Sequence, residues 1–275
     1  MKLAVAIVHG IGTQADLRDD EGVHDYARRL IGGLRRRLGD HAPHVAFESL
    51  FWASVLDTRE QAYLDALAKE PVTWRWLRRI VTSFLGDASG YRQVGQVHDS
   101  AYEQVHEHLR DGLNRLRARV GHDTPLVVLC HSLGGHIFSN FVWDQQQLNP
   151  TISSPSDDFL ALETLAGLVT FGCNIPLFTF AYDPVVPIRF PGDRLSPELR
   201  QKARWLNFYA PADSLGYPLR PLQNYAQVVH EDRSQPVGPW YKRHTPLSHF
   251  EYWTDARFHD YVAQFLRSLL PADTQ

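Results

Sequence analysis

The feature that most constrains the fold is a short run in mid-chain: four apolar residues, Leu126-Val127-Val128-Leu129, followed by Cys130-His131-Ser132-Leu133-Gly134-Gly135 and then an amphipathic stretch. A short, wholly apolar run reads as a strand buried on both faces of a parallel sheet, and the stretch after it has the spacing of a helix. Strand and helix are then joined by a sharp turn with Ser132 at its tip. A serine hydroxyl becomes a useful nucleophile only when held beside a base and an oxyanion site, and a strand-to-helix turn can offer it both. The residues two before and two after the serine are crowded by such a turn and must be small. Gly134 satisfies this fully; Cys130 is small but carries a side chain where glycine is usual.

The rest of the chain repeats the alternation of apolar runs and helical stretches, the signature of an α/β fold with a largely parallel sheet flanked by helices. Strands are predicted at 3–8, 45–52, 126–129, 165–171, 204–210 and 226–231. Helices are predicted at about 22–38, 59–69, 72–85, 96–120, 133–147 and 255–270. The helix at 72–85 places Trp74, Leu77, Ile80, Val81, Phe84 and Leu85 on one side and its arginines on the other, so 57–95 reads as a helical cap or lid inserted into one domain spanning 1–275. The segment 149–158 reads as a loop, and 172–197, dense in proline and aromatic residues, has no clear period and is placed to line a pocket.

Composition narrows the classes further. A net charge of −3 gives no general electrostatic footprint for nucleic acid, and clusters such as Arg35-Arg36-Arg37 read as solvated helix faces. The two cysteines, Cys130 and Cys173, have no metal-ligand spacing, which points to inert buried thiols and a reducing compartment. The apolar start of the chain leads straight into His9-Gly10-Ile11-Gly12, so it reads as a strand and not as an export signal. With no transmembrane segment expected, the predicted location is cytoplasmic, with room for peripheral membrane contact. No cofactor or metal is called for, and nothing in the sequence fixes the oligomeric state.

The run Cys130-His131-Ser132-Leu133-Gly134-Gly135 resembles the nucleophile turn of the α/β-hydrolase superfamily, in particular its lipase- and esterase-like serine hydrolases. The resemblance covers roughly 1–56 and 96–270. It implies a carboxylic ester, small or lipid-like, as substrate, with thioester or amide cleavage, or a non-catalytic binding protein on the same fold, as alternatives. Leu133 at the helix start would supply one oxyanion N–H. The residue after the His9-Gly10 pair supplies the other in families of this kind, which here is Ile11. Triads in this fold run in the order Ser, acid, His. Asp213, in the turn Pro211-Ala212-Asp213-Ser214 after a strand, is the expected acid, with Asp183 the alternative. His249, in the loop before the last helix, is the expected base ahead of His244, while His230 and His259 fall on predicted elements. His131 is expected to pack or hydrogen-bond, not to act as base.

Overall fold

The computed structural model describes residues 2–10, 18–19, 22–55, 101–148, 159–180 and 182–271. The expected cap at 57–95, the loop at 149–158 and Ile11 lie outside the described residues. Strands β1 (Leu3–Val8), β2 (Val45–Leu50), β3 (Leu126–His131), β4 (Leu165–Phe171), β5 (Arg204–Tyr209) and β6 (Glu231–Ser234) form one six-stranded sheet in the order β2-β1-β3-β4-β5-β6. Every pairing is parallel. Parallel neighbours need crossovers, and up to β5 helices supply them: α1 (Asp25–Leu38), α2 (Ala101–Val120) and α3 (Leu133–Leu148), then two short helices, α4 (Ile175–Thr179) and α5 (Pro197–Lys202); α6 (Ala256–Leu269) follows the last strand. No described helix is long and apolar enough to cross a membrane.

Alternation along the strands divides the core in two. Ala4, Ala6, Val8, Leu126, Val128 and Cys130 face one layer with Leu109 and Leu113 of α2 and Ile137 and Phe138 of α3. Leu3, Val5, Ile7, Val127 and Leu129 face the other, against Leu30 and Leu34 of α1 and Phe258, Val262 and Leu266 of α6. Since β1 and β3 are covered on both faces, every residue of either strand is buried. Each fully buried Leu or Val contributes about 1.5–3 kcal/mol relative to exposure, which is why these strands appear as unbroken apolar runs.

One strand differs from expectation. The segment 226–231 is apolar at Val228 and Val229, yet it is not a strand: Asn224 adopts a left-handed backbone (φ 67°) and starts the short 3₁₀ turn Tyr225–Gln227. The sheet resumes at β6, Glu-Asp-Arg-Ser, and β6 lies at the edge. Unlike β2 at the opposite edge, β6 is only partly covered and carries little apolar pattern, and charge on an edge discourages pairing with other chains. His230 accordingly precedes the strand; its imidazole Nδ1 accepts from the Trp205 N–H at 3.1 Å. The first predicted helix also begins later, at Asp25, because Gly22 has a positive φ of 80° and His24 is held by the Ser49 hydroxyl, which accepts its N–H at 2.8 Å.

The all-parallel arrangement fixes where chemistry can occur. The carboxyl ends of β1, β3, β4 and β5 share one edge, where His9-Gly10, Ser132, Gly172 and Asp213 leave the sheet. Ligands of open α/β sheets bind at that edge.

Candidate active site

Ser132 follows β3 directly, and α3 starts at the next residue. Its φ of 52° lies in the left-handed region, which costs a non-glycine residue about 1 kcal/mol or more. Backbone hydrogen bonds hold the strained turn: the Ser132 N–H donates to Phe171 O at 3.0 Å, and the Gly135 N–H donates to Ser132 O at 3.0 Å. The close approach of the β1 loop explains two glycines. A Cβ on Gly134 would stand 2.3 Å from the His9 carbonyl oxygen, and one on Gly10 would stand 2.6 Å from Ser132 Cβ. Cys130 raises no such conflict, because its side chain points into the core layer with Val8, Leu133 and Ile137. Burial pushes the Cys130 thiol well above its usual range and the Cys173 thiol up to about 12, so both are inert.

The structure brings three of the sequence-selected side chains into one hydrogen-bonded line. The Ser132 hydroxyl lies 2.9 Å from His249 Nε2, and His249 Nδ1 lies 2.9 Å and 3.0 Å from the two Asp213 carboxylate oxygens. A carboxylate only accepts, so Nδ1 carries the proton, and Nε2 is left free to accept from the serine. All three groups are buried: Ser132 at 0%, His249 at 1% and Asp213 at 6% exposure. Asp213 also accepts from the Leu215 N–H at 2.9 Å and the Tyr252 hydroxyl at 3.1 Å. Burial pushes its carboxyl pKa up, but the hydrogen bond and charge of His249, with the Leu215 N–H, outweigh that and bring it below the usual range. The alternatives fall away from the centre, since Asp183, His244 and His230 are exposed. His259 is buried on α6 and donates from Nε2 to Trp253 O at 3.1 Å.

Leu133 is the first residue of α3, where helix N–H groups have no intrahelical acceptor.

His131 hydrogen-bonds as its place in the motif suggests, while Trp52, Tyr252 and Gly216 carry too little sequence signal to be picked out. His131 donates from Nε2 to the His249 carbonyl at 2.9 Å, and its ring centre lies 4.8 Å from that of His249. Burial, then the His249 charge, lower its pKa to about 3, so it stays neutral and adds no competing cation. His9 is equally locked: its Nε2 accepts from the Trp52 N–H at 3.1 Å, its Nδ1 donates to Gly10 O at 2.6 Å, and burial lowers its pKa to about 3. Trp52 completes the clamp by donating from Nε1 to His9 O at 3.0 Å. The Tyr252 hydroxyl accepts from the Ala210 N–H at 2.7 Å while donating to Asp213, so it ties the acid to the end of β5. A Cβ on Gly216 would lie 2.5 Å from Asp213 Oδ2. An isolated glycine or tyrosine in a loop has no pattern that announces such a contact.

The loop bearing His249 is itself anchored. Thr245 caps the 3₁₀ turn Pro246–Phe250 by accepting from the Leu247 N–H. Asp255 caps α6, accepting from the N–H groups of Arg257 and Phe258 at 3.0 Å, and also holds the Gly238 N–H at 2.9 Å. Among the described residues near the site, two buried side chains lack a hydrogen-bond partner: Asn174, two residues after Gly172, at both amide atoms, and Ser248, next to His249, at its hydroxyl.

Set against known proteins, the chain matches no protein-family model, and no curated protein sequence matches it.

Proposed function

We propose that this chain is a serine hydrolase of the α/β-hydrolase type that cleaves a carboxylic ester through Ser132, His249 and Asp213. The observation that carries the reading is the hydrogen-bonded line from the serine hydroxyl through both imidazole nitrogens to the buried carboxylate. The strained backbone of Ser132 supports it, since strain of this kind persists where the surrounding structure has reason to hold it.

In this reading His249 Nε2 takes the Ser132 proton as Oγ adds to the ester carbonyl. Asp213 steadies the imidazolium from the Nδ1 side without taking its proton. The N–H groups of Leu133 and Ile11 receive the oxyanion. Collapse of the tetrahedral intermediate breaks the ester C–O bond, and the departing alcohol oxygen takes the proton from Nε2. Water, deprotonated by the same nitrogen, then releases the acid. Thioesters and amides pass through the same steps, so substrate class rests on measured turnover, and the helical cap at 57–95 belongs to this reading as the segment expected to set chain-length preference.

A fluorophosphonate probe tests the assignment. The wild-type chain is expected to be labelled and Ser132→Ala is not; a folded wild-type sample that resists labelling removes the hydrolase reading.

A further inference from the structure

A cleft of about 750 Å³ opens between α1, α6 and the end of β6. Four arginines line it: Arg37 from α1, Arg233 from β6, and Arg257 and Arg267 from α6. The chain as a whole carries a net charge of −3, so this concentration of guanidinium groups runs against its overall sign. The acidic groups present are Asp260 in the cleft wall, paired with Arg37, and Glu231 and Asp255 at its margin, paired with Arg233 and Arg257. Four cations against three anions leave a positive surplus.

The guanidinium groups are also held in place. Arg267 donates to Arg37 O at 2.8 Å, Arg37 donates to Gly33 O at 3.2 Å, and Arg257 donates to Pro236 O. Arg233 donates to Glu231 at 3.0 Å and lies over the Tyr261 ring, 4.1 Å from its centre. Each of these bonds uses one or two of the five N–H donors a guanidinium offers. The remaining donors belong to side chains whose freedom is already reduced, which lowers the entropic cost of binding a ligand.

We propose that this cleft binds a compact, multiply charged phosphate compound. Phosphate oxygens match the guanidinium fork in a bidentate manner, and two or more phosphates draw on several arginines at once. The volume admits a ligand of that size, and the site is independent of the chemistry at Ser132.

Calorimetric titration with inorganic pyrophosphate at low ionic strength tests the proposal. The wild-type chain is expected to bind, and the double variant Arg233→Gln/Arg267→Gln to bind at least tenfold more weakly while still being labelled at Ser132. If that variant does not fold, Arg267→Gln alone, at an exposed position, is expected to weaken binding about threefold. The control Arg110→Gln/Arg189→Gln removes the same charge outside the cleft and is expected to change affinity less than twofold. Absence of pyrophosphate binding by the wild type, or an equal loss in the control, overturns the proposal. Sedimentation with phosphatidic acid vesicles separates the sources. Vesicle binding that the cleft variant weakens names a lipid headgroup, and pyrophosphate binding without vesicle binding names a free phosphate compound.

Discussion

Lowering the pH from about 7 to about 5 is expected to weaken this fold, in large part through two buried histidines outside the line of Ser132, His249 and Asp213. His9 and His131 are buried, and burial lowers each pKa from 6.5 to about 3. In the unfolded chain both titrate near 6.5. As the pH falls below that value the unfolded state takes up protons that the folded state refuses, so stability falls with pH and keeps falling toward about 3. Integrating the proton difference from about pH 7 to about pH 5 gives about 2 kcal/mol for each histidine, or about 4 kcal/mol together, and His136, which burial lowers to about 4, adds about 2 kcal/mol more. Asp213 does not contribute in this window. Its folded pKa is depressed, so the stability it supplies is lost only as the pH falls below the ordinary carboxylate range.

Urea titrations followed by tryptophan fluorescence at the two pH values measure the loss. The variant His131→Gln keeps an N–H that can reach the His249 carbonyl but cannot titrate, so its loss should be about 2 kcal/mol smaller than that of the wild type. A wild-type loss below about 1 kcal/mol, or a variant that keeps the full loss, would refute the reasoning that buried neutral imidazoles control acid stability here.

Three further expectations follow from the site. His249→Ala should abolish p-nitrophenyl ester turnover while His244→Ala leaves it within about twofold, because only His249 reaches the serine; the reverse pattern would discard the assigned base. Gly134→Ala should suppress fluorophosphonate labelling and cost about 1–3 kcal/mol, since its Cβ would stand 2.3 Å from the His9 carbonyl oxygen; an unaffected variant would mean that the β1 loop does not press on the turn. Asn174→Leu should raise stability by about 1–3 kcal/mol by removing a buried amide without partners, and a drop in melting temperature would show that the amide is bonded in solution.

What was legible in the sequence shares one physical origin: local chemistry strong enough to act alone. β1 and β4 occupy the residues expected of them because both are buried on each face, so every position is apolar or small. The turn at Ser132 announces itself because strand, serine and glycines are adjacent in the chain. β6 escaped notice for the opposite reason, being a polar edge strand that no second layer fully covers, while the apolar Val228 and Val229 beside it pack without joining the ladder.

Tertiary structure alone settled which residues meet. Ser132 and His249 are 117 positions apart, and His249 and Asp213 are 36 apart. His244 and His249 share one loop and similar neighbours, so no local pattern separates them; one faces solvent and the other is sealed against Asp213. The same holds for Cys130, whose side chain is accommodated because β3 turns it into the core layer and away from the serine. Local sequence determined strands β1 to β5, the longer described helices and the strained turn, because those depend on neighbours within a few residues. The convergence of serine, imidazole and carboxylate depended on parallel strands delivering distant loops to one sheet edge, and contacts of that range are set only when the whole core packs.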